Sequence, residues 1–278
     1  MAKILIIGCG AIGMGLAKAL AGQGHEVTGL KRYPPSTGDD GVNFIAADIS
    51  SASDMDNLDL EVDVVFFIVS ADGRTEQSYR VVYELGLQHV SAKFTRQPWF
   101  FVSSTSVYGQ SQGEWVDEDA LAQPDTVTSQ LIRQAELRVM ASGPKNVVVR
   151  FSGIYGPGRE HLLRMARQAP AIQKAPPYYT NRIHQQDCVG VLLFLLQQRL
   201  SGAALQQCYL ASDDDPAPLW EVIAWLARQL HCDPPRAQPF EHAAPCNKRC
   251  VNSRLKALGY QFQYAGYRDG YRELIGHE

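Results

Sequence analysis

Lys3-Ile4-Leu5-Ile6-Ile7-Gly8-Cys9-Gly10-Ala11-Ile12-Gly13 stands at the head of the chain, and the reading of the whole sequence turns on it. Ile4–Ile7 is purely aliphatic, the composition of a strand buried on both faces. From Ala11 onward Ile12, Leu16, Ala19 and Leu20 recur at helical spacing until Gly22 and Gly24 stop the pattern. Between strand and helix, residues 8 to 13 spell G-x-G-x-x-G. At that place bare backbone can approach a pyrophosphate at the positive end of a helix. Gly8 would make the tight turn, Gly10 would allow the close approach, and Gly13 would let helix and strand pack. Glycines also close turns with no ligand involved, so the rest of the chain has to decide.

The rest of the first half keeps the same rhythm. Val27–Leu30, Val42–Ala46, Val62–Val69, Trp99–Val102 and Val147–Phe151 read as further short apolar strands, with helical patterns at 74–90 and Thr126–Met140. Six such strands separated by helices predict an α/β fold, a Rossmann-type doubly wound parallel sheet. In that setting dinucleotide binding outweighs a simple turn. Residues 1–151 are expected to form the dinucleotide-binding core. After Phe151 Gly, Pro and Tyr become frequent, as in Gly156-Pro157-Gly158 and Pro176-Pro177-Tyr178-Tyr179. Two helices near Gln186–Leu200 and Pro218–Leu230, with a strand at Cys208–Ala211 between them, complete residues 152–278. These are read as a small C-terminal substrate lobe and late additions packed on the same core.

The end of the second strand sets the expected cofactor. An acid there suits the ribose 2′-hydroxyl of NAD, and a base suits the 2′-phosphate of NADP. Here Leu30 is followed by Lys31 and Arg32, and the next acid is Asp39. Two cations favour NADP, with NAD as the alternative.

Composition excludes rather than identifies. The chain has 278 residues, 45% hydrophobic and 20% charged, with a net charge of -3. That balance argues against nucleic acid or an anionic membrane as a partner. No apolar run reaches membrane-spanning length. The six cysteines are scattered, which suits reduced thiols, and Met-Ala-Lys leads straight into a strand, so a cytoplasmic protein is expected. Cys246-Asn247-Lys248-Arg249-Cys250 lacks a second Cys/His pair at metal spacing, and no metal site is expected. Cys9 reads as a small filler, and Asp213-Asp214-Asp215 as a solvated turn.

Phe101-Val102-Ser103-Ser104-Thr105-Ser106-Val107-Tyr108-Gly109 adds a further signature, followed by Val116-Asp117-Glu118-Asp119 and by Arg150-Phe151-Ser152-Gly153-Ile154-Tyr155-Gly156-Pro157-Gly158. With the glycine loop, Ala47-Asp48-Ile49, Asn181-Arg182-Ile183-His184 to Asp187, and Leu255…Leu258-Gly259-Tyr260, the chain resembles the extended short-chain dehydrogenase/reductase superfamily. This is the group of NAD-dependent epimerases and dehydratases. The resemblance implies that Asp48 sits by the adenine amino group and that Val69 and Ser70 line the cofactor groove. It places Ser104 in the catalytic Ser/Thr position and implies a small-molecule substrate. It also implies a homodimer formed through the helices at 74–90 and 126–140. Arg150, Arg159 and Arg182 fall in segments that border the substrate cleft in this superfamily.

One departure matters most. The superfamily uses a Tyr and a Lys one helical turn apart, the Lys lowering the phenol pKa so that it exchanges a proton with the substrate. Glu136 fixes the register and puts Thr128 in the Tyr position and Ile132 in the Lys position. Between Gly109 and Ile154 there is no tyrosine, and the only lysine is Lys145. The chain resembles an atypical branch lacking the pair. Three uses remain: an enzyme with a substitute acid (Tyr155, Tyr179, Asp72 or His184), an enzyme in which Ser104 and Thr128 orient the substrate, or a catalytically silent NADP-binding sensor or scaffold. For each substitute acid taken singly, packing or a structural hydrogen bond is the commoner role of such a residue. Ser104, Thr128 and Tyr155 are the catalytic candidates. The cofactor candidates are Gly8, Gly10, Ala11, Ile12, Gly13, Lys31, Arg32, Asp48, Ile49, Val69 and Ser70.

Overall fold

Aliphatic and aromatic runs collapse into one twisted sheet. In this computed structural model residues 1–35, 41–239 and 246–276 are described; Asp39 lies outside them. The strands are β1 (Lys3–Ile7), β2 (Glu26–Lys31), β3 (Val42–Ala46), β4 (Val64–Phe67), β5 (Trp99–Ser104), β6 (Val147–Phe151) and β7 (Cys208–Ala211). Their order is β7-β6-β5-β4-β1-β2-β3. Adjacent strands from β3 across to β5 run parallel. Parallel strands covered on both faces need apolar side chains at every position. Val64, Val65, Phe66 and Phe67 are accordingly all buried. Phe66 stacks on Phe100 and Phe67 on Phe101 across the β4–β5 ladder. The order reverses between β1 and β4, which opens a crevice at the carboxyl ends of those two strands.

Boundaries move by a few residues from the sequence expectation. β4 is Val64–Phe67 rather than 62–69. The helical pattern at 74–90 becomes α-helix from Glu76 to Arg80, a π-helical stretch from Val81 to Gly86, and α-helix again from Leu87 to Lys93. Such π insertions cluster at functional sites, and here Val81 and Val82 face the cleft described below.

Residues group into two compact units that interleave along the chain. The first comprises 1–107, 124–150 and 189–209, and the second 108–123, 151–188 and 210–278. The expected break near residue 151 is one of several crossings, because 108–123 groups with the second unit and 189–209 with the first.

A buried ion pair holds the first unit together. Glu136, on the Val127–Ser142 helix, is fully buried. It accepts from Ser103 Oγ of β5 at 2.6 Å, from Arg150 Nε and Nη2 of β6 at 2.8 Å, and from Arg133 at 2.8 Å. A carboxylate so placed is tolerated only because its lone pairs are filled by charged and hydroxyl donors. Arg150, which the resemblance set near the substrate, is thus committed to Glu136.

In the second unit Asp187 accepts from the backbone N–H groups of Gln263 and Tyr264 and from the Tyr260 hydroxyl. His184 is buried against Tyr264, its ring accepting from the Gln186 N–H, and burial lowers its pKa so that the neutral ring is favoured.

The acidic run at 213–215 corrects a sequence expectation. Asp213 is 1% exposed, not solvated. Its Oδ1 accepts from the Asp215 N–H at 3.3 Å, and its Oδ2 has no hydrogen-bond partner among the described residues. Burial pushes its carboxyl up to about 8, against the partial opposition of Arg182. Between an unfolded value of about 3.9 and that folded value, rising pH strips the proton from the unfolded chain first. Stability therefore falls across this window and levels off above it. Asp213→Asn keeps the acceptor and removes the titration. The variant is expected to melt about 5 °C higher than wild type at pH 8. Its Tm is also expected to decline less steeply from pH 5 to 8.5. Parallel melting profiles for the two proteins would contradict the assignment.

Candidate functional site

Everything that makes the cleft begins with the loop after β1. Gly8 has φ of +96°, and a Cβ there would lie 2.5 Å from the Ile68 carbonyl oxygen. A Cβ at Gly13, in the helix α1 (Ala11–Gly22), would collide with the Gly8 carbonyl. These two glycines are demanded by the protein's own backbone. Gly10 is different. Its φ of -76° and ψ of -162° suit any residue, and a Cβ built on it meets nothing within 4 Å. It caps α1 with no side-chain bond and no acid in the first turn, leaving the helix end open to an anion. Neither strain nor crowding within the chain requires a glycine here.

Around this loop lies a cleft of about 480 Å³. Its floor includes Ile7, Gly8, Cys9 and Gly10, and its walls come from Leu30, Lys31 and Arg32 at the end of β2, Ala47–Ser50 after β3, and Ile68–Ser70 after β4. Eight of the eleven residues expected to hold a cofactor therefore line one cavity: Gly8, Gly10, Lys31, Arg32, Asp48, Ile49, Val69 and Ser70. Ala11, Ile12 and Gly13 follow in the first turn of α1, with Ile12 and Gly13 buried. Ser50 donates from its N–H and Oγ to Asp48 Oδ1, at 2.8 and 2.7 Å, which fixes that carboxylate. Ile49 is pinned by its carbonyl against His89 Nδ1 at 2.9 Å, and its side chain fills the space above Gly86. Tyr83 donates to the Val69 carbonyl at 3.3 Å. Cys9 fills a gap beside Gly29, and burial pushes its thiol up to about 11, so it stays protonated and unreactive.

The charge balance corrects the sequence reading. Lys31 and Arg32 are not alone: Asp72, from the loop after β4, reaches Arg32 with 2.6 Å between Oδ2 and Nη2. Two cations and the two carboxylates of Asp48 and Asp72 line the cavity. Asp72 lies forty positions from Arg32 in the chain, and only the strand order brings them together.

The catalytic candidates occupy separate places. Ser104, half-buried at the end of β5, accepts from the Ser106 N–H at 3.1 Å, which leaves its own O–H to donate. Thr128, half-buried in the first turn of its helix, has its hydroxyl 3.2 Å from that of Thr126. Ile132, one turn on, is buried. Tyr155 belongs to the apolar core of the second unit, stacked on Tyr271 with centroids 4.6 Å apart and edge-on to His184. Gly270 makes room for its ring, and burial raises its pKa. Tyr179 lies with its ring under the Arg249 guanidinium, 4.7 Å away. Arg182 is buried and donates to Thr180 Oγ1 and the Asp215 carbonyl.

Lys248 carries no local signal in the sequence, since it lies far along the chain from the helix that holds Thr128 and Ile132. Lys248 is buried and donates to the Tyr108 carbonyl at 3.1 Å. Asn181 braces the short strand Lys248–Cys250 through the Lys248 carbonyl and the Cys250 N–H, and Asn247 accepts from the Tyr179 N–H. Among the described residues no group of three His, Cys, Asp or Glu is arranged to hold a metal ion, and no helix is long and apolar enough to cross a membrane.

A parallel sheet with this order, and a glycine loop opening a helix at its switch point, define the class of Rossmann-type dinucleotide folds. The chain belongs to the NAD dependent epimerase/dehydratase family, whose model matches residues 4–204. It is 34% identical to a solved Methylobacillus flagellatus chain described as an NAD-dependent epimerase/dehydratase. That match covers 99% of this chain and 98% of the other, with a TM-score of 0.83. It is 29% identical to Protein YeeZ of Escherichia coli K12, over 95% of this chain and 97% of the relative. A 3-diazoavenalumate denitrifying reductase from a Streptomyces species is 26% identical over 56% of this chain and 57% of its own.

Proposed function

We propose that the cleft of the first unit holds the adenosine and pyrophosphate half of NADP, with NAD as the weaker alternative. We further propose that the chain is an oxidoreductase or epimerase-like enzyme acting on a small polar substrate. Gly10 carries the reading of the cleft. A position that is free of strain, open on its Cβ side and set at an uncapped helix N-terminus is one where a ligand, rather than the fold, excludes a side chain. Gly8, Ala11, Ile12 and Gly13 shape the same turn. Asp48 and Ile49 would border the adenine, Val69 and Ser70 the opposite wall, and Lys31 and Arg32 the 2′-phosphate.

A nicotinamide cofactor supplies hydride transfer when bound. What the chain adds is orientation. Ser104 keeps a free hydroxyl proton to donate to a substrate oxygen, and Thr128 is a second hydroxyl. Neither ionises near neutral pH, so both position a substrate without acting as a titrating acid. Tyr155 keeps its proton and packs in a core, and serves in this reading as a support.

A second reading, a catalytically silent NADP-binding sensor or scaffold, is favoured by one observation: Ile132 is buried and apolar where the superfamily places a lysine. One set of measurements separates them. Purified protein is examined by mass spectrometry for co-purified dinucleotide, then titrated with NADPH and NADH while melting is followed. NADPH is expected to raise Tm more than NADH, and Lys31→Glu/Arg32→Glu to abolish the difference. Turnover in a substrate panel, lowered roughly a hundredfold or more in Ser104→Ala, supports the enzyme. NADPH binding with no turnover supports the silent protein, and no shift with either cofactor overturns both.

A further inference from the structure

The strand order places β1 between β2 and β4. Arg32 follows β2 and Asp72 lies in the loop after β4, the two strands that flank β1, and their side chains meet at 2.6 Å in the cleft that the Gly8–Gly10 loop also lines. β2 and β4 are two strand spacings apart, about 10 Å, and the paired side chains close that span. Both residues line the same cleft. Both are also substantially exposed, 47% for the arginine side chain and 67% for the aspartate. Exposed ion pairs are individually weak and easily exchanged, so this bar can open.

We propose that Asp72 is a cofactor-selecting residue: it neutralises Arg32 in the free protein and must surrender it to a 2′-phosphate. This rests on the dinucleotide reading of the cleft. A phosphate dianion offers Arg32 a bidentate, doubly charged partner in place of a single carboxylate. Asp72 opposes that exchange twice, by occupying the guanidinium and by repelling the incoming anion. A nucleotide without the 2′-phosphate makes no such demand on Arg32. Asp72 therefore lowers the preference for NADP over NAD below what Lys31 and Arg32 alone would give.

The test uses adenosine 2′,5′-bisphosphate and AMP as probes, titrated calorimetrically into ligand-free wild type and Asp72→Asn. Because Asp72 is exposed, the variant is expected to melt as wild type does. It is expected to bind the bisphosphate about three- to tenfold more tightly, with AMP unchanged within about twofold, the gain shrinking as salt is raised. Unchanged or weakened bisphosphate binding in the variant, with both nucleotides bound by wild type, overturns the role of Asp72 and leaves the cleft reading intact. A matching gain for AMP assigns Asp72 to general repulsion and likewise overturns selection. Failure of wild type to bind either nucleotide overturns the cleft reading and the proposal with it.

Discussion

Glu136→Gln is expected to lower the unfolding free energy by about 3–5 kcal/mol, the usual cost of removing one charge from a buried pair. Roughly 10 °C in Tm follows for a chain of this size. The geometry makes the loss steep. Glu136 takes Ser103 and Arg150 on one oxygen, and Arg150 and Arg133 on the other. With the charge gone, Arg150, 2% exposed, loses the Glu136 carboxylate, and a carboxamide nitrogen opposes one of its donors in either orientation. The effect extends to the proposed orienting hydroxyl because Ser103 precedes Ser104, so the end of β5 loses its fixed partner. Replacing both members, Glu136→Leu with Arg150→Met, is expected to cost less than either single change, since an apolar pair leaves no fully buried charge behind and Arg133, partly exposed, can turn to water. Urea unfolding of the three variants checks this. Additive losses in the double variant would show that the pair is not coupled.

Gly10→Val has the largest expected effect on binding. The three loop glycines separate by what a Cβ would meet: backbone for Gly8 and Gly13, and nothing for Gly10. Valine accepts the extended dihedrals of Gly10, and a non-polar N-cap in place of glycine costs the helix less than about 1 kcal/mol. The ligand-free fold is therefore expected to survive. Two added methyl groups would instead stand where the proposed pyrophosphate would approach the N–H groups of α1. A hundredfold weakening, about 2.7 kcal/mol, is the expected minimum.

Much of the fold was legible because its signals are local. Strands covered on both faces must be apolar at every position, so Ile4–Ile7 and Val64–Phe67 stand out unaided. The glycine spacing then locates the switch point. What stayed hidden depends on side chains distant in sequence. Arg32 looked unopposed because Asp72 comes from another loop, and it is strand order that joins them. Asp213 looked solvated because three acids before a proline read as a turn, yet tertiary packing buries the first of them. Arg150 falls in a segment that the resemblance sets at the substrate cleft, but its partner is Glu136, on a helix that no local pattern places beside β6. The interleaving of 108–123 with the later segments leaves no local mark, since that stretch has the same polar, turn-rich composition as the segments it joins.

The central proposal is that the cleft of the first unit holds a dinucleotide. Calorimetric titration of NADPH into ligand-free wild type and Gly10→Val, with Tm of both proteins measured beforehand, tests it most directly. Saturable binding by wild type, weakened at least about a hundredfold in a variant that melts within a few degrees of it, is the predicted result. Equal affinity in the two proteins, or binding of neither NADPH nor NADH by wild type, would contradict it.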